Sequence, residues 1–174
     1  MKQVKGDLWA HPANIVVITT NGSIRRDGHA VMGRGVAKQA KDRFPHISKA
    51  LAGLIKKSGN HVYYLGAFMR DLPPKISDGS ILDSVTDSEM KHIIAFPVKH
   101  EWHQLASIDL ILRSVIELNY LCHIILPGAA IETDIIAMPR PGCGNGGLDW
   151  LKDVRPIVEP HLNDRYVIVE REES

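Results

Sequence analysis

The stretch that most constrains this chain is Asp134 to Trp150, DIIAMPRPGCGNGGLDW. It begins as Ile135-Ile136-Ala137-Met138, an apolar run short and β-branched enough to be a buried strand. Pro139 and Pro141 break that run, and four of the six residues from Gly142 to Gly147 are glycine. Helical spacing resumes after Asp149-Trp150. A strand, a glycine-rich loop and a helix start together suit a phosphate. Glycines let backbone N–H groups approach the anion without a Cβ in the way, and the helix N-terminus adds a favourable dipole. The same glycines also suit a tight turn that needs positive φ angles.

The rest of the chain alternates strands with helices. Met1 to Lys5 reads as a short edge strand ended by Gly6-Asp7. Ile15 to Thr19 (IVVIT) is a continuous β-branched run, expected in a sheet covered on both faces. It leads through Asn21-Gly22 and a polar loop to Val31-Met32-Gly33-Arg34-Gly35-Val36 and a helix start, which completes a second strand–glycine loop–helix unit. That helix buries Val36, Ala37, Ala40 and Phe44 and stops at Pro45. Ile47, Ala50, Leu51, Leu54 and Ile55 follow the spacing of an amphipathic helix, with Lys56-Lys57 in its last turn and Gly59 as its stop. Strands are expected at His61–Phe68 and His92–Val98, with a polar loop or hairpin from Arg70 to Met90 between them. A helix is expected from about Leu105 to Leu121. Asp149 or Asp153 caps a last helix over Val154, Ile157, Val158 and Leu162, with Pro156 in its first turn. Arg165–Glu170 is the final strand.

This pattern predicts an α/β fold with helices on both faces of the sheet. Ligands in such folds collect at the carboxyl ends of the parallel strands. Three loops leave strands there with chemistry to offer: Asn21 to Gly35, Lys99 to His103, and Pro139 to Asp149.

Bulk properties narrow the partners. A chain of 174 residues fits one domain, expected over residues 1–171 with a tail at 172–174. The formal charge is +1 with no basic block, which disfavours binding to nucleic acid or membrane by bulk electrostatics. Cys122 and Cys143 have neither metal spacing nor a disulfide framework. With no long apolar run and no signal pattern, the expectation is a cytoplasmic protein, most simply a monomer, without a metal or other cofactor.

Three segments carry a family likeness: Val31-Met32-Gly33-Arg34-Gly35-Val36-Ala37, Phe96-Pro97-Val98-Lys99-His100, and Gly142-Cys143-Gly144 through Gly147-Leu148-Asp149-Trp150. In this order and spacing they resemble a macrodomain, the ADP-ribose-binding fold. The likeness runs from Val4-Lys5-Gly6-Asp7-Leu8 to the last strand. Within the family it is nearest the branch containing terminal ADP-ribose protein glycohydrolase and the DNA ADP-ribosyl glycohydrolase antitoxins. The fold so implied is a three-layer α/β/α macrodomain with a mixed central sheet.

The resemblance implies roles by position. Asp7 would accept a hydrogen bond from the adenine amino group, and Asn21 would contact the distal ribose. Met32, Gly33 and Gly35 would form a first diphosphate loop; Gly142, Cys143, Gly144, Asn145 and Gly146 would form a second. Nothing in the sequence supplies Cys143 with an activating base, so it is read as lending its backbone N–H. Lys99 is the catalytic candidate: in the nearest relatives a lysine ending this strand attacks the distal-ribose C1″. It can do so only as the neutral amine. His100, His103 and Asp149 are auxiliary candidates. In relatives acting on acidic side chains, the position of Gly146 holds an aspartate; the antitoxin-like relatives carry glycine there. Arg25 and Arg26, in a loop particular to this chain, suit a nucleic-acid phosphate or simple solvation.

The implied activity is ADP-ribosyl glycohydrolysis on modified nucleic-acid bases or protein side chains, with ADP-ribose and ADP-ribosylated DNA or protein as partners. The alternatives are an ADP-ribose reader without turnover and a phosphatase or deacetylase of small ADP-ribose esters.

Overall fold

The computed structural model describes residues 1–69, 90–125 and 134–171. Residues 70–89 of the loop expected from Arg70 to Met90, and the tail at 172–174, lie outside them; Met90 belongs to a strand instead. The strands are β1 (Lys2–Lys5), β2 (Ile15–Asn21), β3 (Tyr63–Met69), β4 (Met90–Lys99), β5 (Ile136–Pro139) and β6 (Tyr166–Glu170). They form one sheet in the order β1-β6-β5-β2-β4-β3. β3 pairs antiparallel with β4 and every other pairing is parallel, so the sheet is mixed.

Side chains alternate between the two faces, and each face has its own core. Ile15 and Val17 of β2, Ile94 and Phe96 of β4, Ile136 and Met138 of β5, and Tyr166 and Ile168 of β6 belong to one core. Helix α3 (Ile108–Tyr120) covers it with Ile111, Val115 and Leu118. Val16, Ile18, Ile93, Ala95, Ala137 and Val167 belong to the other. Helices α1 (Gly35–Arg43) and α2 (Ile47–Ser58) close that face with Ala37, Ala40, Ile47 and Leu51. The result is the expected three-layer sandwich. Burying each such Ile, Leu or Phe contributes about 1.5–3 kcal/mol. Exposed pairs such as Arg155–Glu159 are screened by solvent and add little. The two cores therefore hold the fold together.

Helix α3 starts at Ile108, three residues later than the apolar pattern suggests. Ser107 caps it, its hydroxyl accepting from Leu110 N at 3.3 Å. The preceding residues are tied elsewhere: Ala106 N donates to Gly146 O at 2.9 Å and Ser107 N to Val98 O at 2.9 Å.

The expected last helix is three short pieces. A π-helical turn covers Trp150–Val154, one α-turn (α4) covers Arg155–Val158, and a 3₁₀ turn covers Glu159–His161. Pro156 and Pro160 lack the N–H that a continuous helix requires. Both capping candidates act: Asp149 accepts from Lys152 N at 2.8 Å, and Asp153 accepts from Asp149 N at 2.8 Å. Among the described residues no helix is long and apolar enough to cross a membrane.

Candidate functional site

The carboxyl ends of β2, β4, β5 and β6 open onto one cleft of about 1590 Å³. Asp7, Leu8, Trp9 and Glu170 line one end, and Lys99, Trp102, His103 and Leu105 line the other. Between them lie residues 31–37 and Gly142 to Gly146. Arg34, Arg43, Lys99, Arg140 and Arg171 face the cleft against Asp7 and Glu170, an excess of positive charge suited to an anion.

The second glycine loop is built inside out. The carbonyl of Gly142 accepts from Leu148 N at 3.2 Å, that of Gly144 from Gly147 N at 3.0 Å, and that of Gly146 from Ala106 N at 2.9 Å. The carbonyl of Asn145 accepts from Lys99 Nζ at 2.6 Å. With the carbonyls tied back and Cys143 bridged to Leu148, the N–H groups of Asn145 and Gly146 meet no acceptor among the described residues. Such a run of unpaired donors forms an anion-binding nest. Glycine is required sterically at Gly146, where a Cβ would lie 2.1 Å from Gly142 O.

The first glycine loop offers the same chemistry from the opposite layer. Helix α1 begins without a side-chain cap from Arg34 and without an acid in its first turn. Its leading N–H groups are thus open to an anion. A Cβ on Gly35 would lie 3.6 Å from Asn145 Nδ2, so the two loops approach each other. The strand serving this loop is β2, and residues 31–34 lie in the loop that leaves it, as expected. Segment 22–30 folds back through a bridge between Ile24 and Ala30.

No protein-family model matches the chain. The macrodomain of Mycobacterium tuberculosis DarG superimposes with a TM-score of 0.68 and 24% identity, over 99% of this chain and 97% of that one. The chain has the macrodomain fold. A second similar structure, Thermosipho africanus DarTG in complex with ADP-ribose, has a TM-score of 0.66 and 22% identity, covering 98% of this chain and 42% of that one. In sequence the macrodomain is 31% identical over 152 residues to the DNA ADP-ribosyl glycohydrolase of M. tuberculosis. That match covers 83% of this chain and 34% of the relative, so the chain spans about a third of the length of that relative.

In this macrodomain, Lys99 ends β4 beside Asn21 at the end of β2. The register steps from Thr20 opposite Pro97 to Asn21 opposite Lys99, so β4 carries one extra residue there. Such a bulge redirects the side chain that follows it. Asn21 is held at both ends of its amide: Nδ2 donates to Val31 O at 3.0 Å and Oδ1 accepts from Ser23 N at 3.0 Å. Asp7 is exposed, and its Oδ1 accepts from Trp9 N at 3.0 Å.

The auxiliary candidates separate. His103 lines the cleft and pairs with Glu101 at 3.6 Å. His100 and Asp149 are not among the lining residues. The carbonyl of His100 accepts from Gly22 N at 3.1 Å, and the side chain of Asp149 is a helix cap. Burial pushes the Cys143 thiol up to about 11, with Arg140 partly opposing it, so it is protonated at neutral pH. That agrees with a backbone role and disfavours a nucleophile.

Several cleft residues carry no local sequence signal. Trp9 is buried, its Nε1 donating to Gln39 Oε1 at 2.9 Å with the Arg43 guanidinium 5.1 Å from its ring. Arg140 forms a two-pronged pair with Glu170, both bonds 2.7 Å. Trp102 and Leu105 stand exposed on the rim. Only their place one loop beyond a strand end could have marked them.

Proposed function

We propose that this macrodomain binds ADP-ribose in the cleft and hydrolyses the bond joining its distal ribose to a nucleic-acid base. One observation carries the proposal: Lys99 Nζ reaches the second glycine loop where the unpaired N–H groups of both loops converge. The diphosphate lies on the N–H groups of Met32 to Gly35 and of Asn145 and Gly146. Asp7 accepts the adenine amino group at the far end.

Lys99, as the neutral amine, attacks C1″. The new N–C1″ bond forms as the bond to the base breaks. The electron pair leaves with the base, which takes up a proton, and His103 lies in the cleft to relay one. Water then replaces the lysine at C1″, freeing ADP-ribose and regenerating the amine. Comparison with the named relatives supports this class of reaction. Gly146 supports a base over an acidic side chain as leaving group, because no aspartate fits where a Cβ already meets Gly142 O.

A second reading is a module that holds ADP-ribose without turnover. One contact favours it: Lys99 already donates to the Asn145 carbonyl and must leave that bond to react.

The deciding experiment measures ADP-ribose released from base-ADP-ribosylated DNA and from glutamate-ADP-ribosylated protein, with wild type and Lys99→Ala. Release from DNA that disappears in the variant is the expected result. Release from protein alone overturns the choice of leaving group. Binding of ADP-ribose with release from neither leaves the reader or a small-ester hydrolase.

A further inference from the structure

The rim beside Lys99 carries an exposed aromatic side chain. Trp102 lines the cleft three residues beyond Lys99, yet the residue is 60% exposed; Leu105, on the same rim, is 74% exposed. A mobile surface tryptophan would carry little meaning, but the backbone here is pinned. Lys99 O accepts from Asn60 Nδ2 at 2.9 Å, His100 O from Gly22 N at 3.1 Å, and Trp102 N donates to Ser23 Oγ at 3.0 Å. The ring of His103 meets the indole at 75° with centroids 5.5 Å apart. That edge contact covers at most one face of the indole, and the other is open.

An open, fixed aromatic face discriminates between leaving groups. Its π cloud is negative, so it repels a carboxylate or phosphate and attracts a flat, neutral ring. Nucleobases stack on such faces irrespective of their hydrogen-bonding edges. We propose that the Trp102 indole is the platform on which the base attached to C1″ stacks, making Trp102 a specificity-determining residue. The proposal rests on the reading that the cleft takes base-linked ADP-ribose. Stacking there holds the base beside the bond that Lys99 breaks, and Ser23 acts as a positioning residue by fixing the Trp102 backbone.

The test is the affinity difference between free ADP-ribose and an ADP-ribosylated oligonucleotide. It is measured in the Lys99→Ala background so that a cleavable ligand survives the titration. Trp102→Ala is expected to weaken oligonucleotide binding roughly 5- to 150-fold, the range for loss of one base–aromatic stack. Free ADP-ribose should change less than about twofold, and Trp102→Phe should restore most of the lost affinity. An equal loss for both ligands, no loss for either, or a Phe variant as weak as Ala overturns the proposal. The outcomes separate from those of the hydrolysis assay. Indole-dependent affinity without turnover in wild type would sink the glycohydrolase and keep the platform. Turnover of base-linked substrate with no dependence on Trp102 would do the reverse.

Discussion

The α-carbon of Gly146 faces the carbonyl of Gly142 so closely that a Cβ would fall 2.1 Å from that oxygen and 2.8 Å from the Ala106 Cβ. Gly146 is thereby fixed as glycine by its own loop. Gly146→Ala must push one wall of the nest aside. It is expected to lower stability by about 1–3 kcal/mol, the range for overpacking. If the loop shifts instead, the same loss should appear in ADP-ribose affinity. Urea unfolding and calorimetric titration of the same variant distinguish the two, and a variant normal in both would contradict the geometry.

Asn21 bridges the end of β2 to Val31 and Ser23 through both ends of its amide. Asn21→Ala removes both bonds and should reduce stability by about 1–3 kcal/mol. Asn21→Asp keeps the acceptor for Ser23 but sets a carboxylate against the Val31 carbonyl, so it should not rescue. The unfolding midpoints of the two variants check this order.

Arg140 and Glu170 join the ends of β5 and β6 across the cleft floor, and the Glu170 carbonyl accepts from Gly6 N at 2.9 Å beside Asp7. Both side chains remain about a third exposed, so solvent screening weakens the pair. A double-mutant cycle with Arg140→Ala and Glu170→Ala should give a coupling of about 1 kcal/mol. If Asp7 holds the adenine as proposed, Glu170→Gln should also weaken ADP-ribose binding more than binding of inorganic pyrophosphate.

Alkaline pH should destabilise the protein. Burial pushes the thiols of Cys122 and Cys143 up from about 9 to about 11. Between those values the unfolded chain releases these protons and the folded one keeps them, so stability falls as pH rises through that window. Cys143→Ala should flatten part of the fall while retaining ADP-ribose binding through the backbone. A melting profile from pH 8 to 11 tests the first statement. Loss of binding in the variant would restore a role for the sulfur.

Much of the fold was legible because the signals were local. The β-branched run at Ile15–Thr19 named a strand buried on both faces, and its residues indeed divide between two cores. The glycines at Gly33, Gly35 and Gly142 to Gly147 named loops that both open on one cleft. What was not legible depends on distant partners. The start of α3 is set by Ala106 bonding to Gly146, which no apolar spacing records. The antiparallel course of β3 depends on its pairing with β4. The bulge that redirects Lys99 depends on register with β2. Trp102 carries no periodic signal in the sequence, and its exposure at a cleft mouth is a property of the assembled fold.

The two glycine loops belong to different halves of the sandwich. The first leads into α1, packed in the core with Met32 and Ala40; the second leads to Trp150 and Val154 in the opposite core. The cleft is therefore a seam between layers rather than a hollow within one. A molecule lying across it fastens together two bodies of side chains on opposite faces of the sheet. Occupancy should make their melting more nearly simultaneous, so that the sharpness of the transition, and not its midpoint alone, becomes a measure of binding.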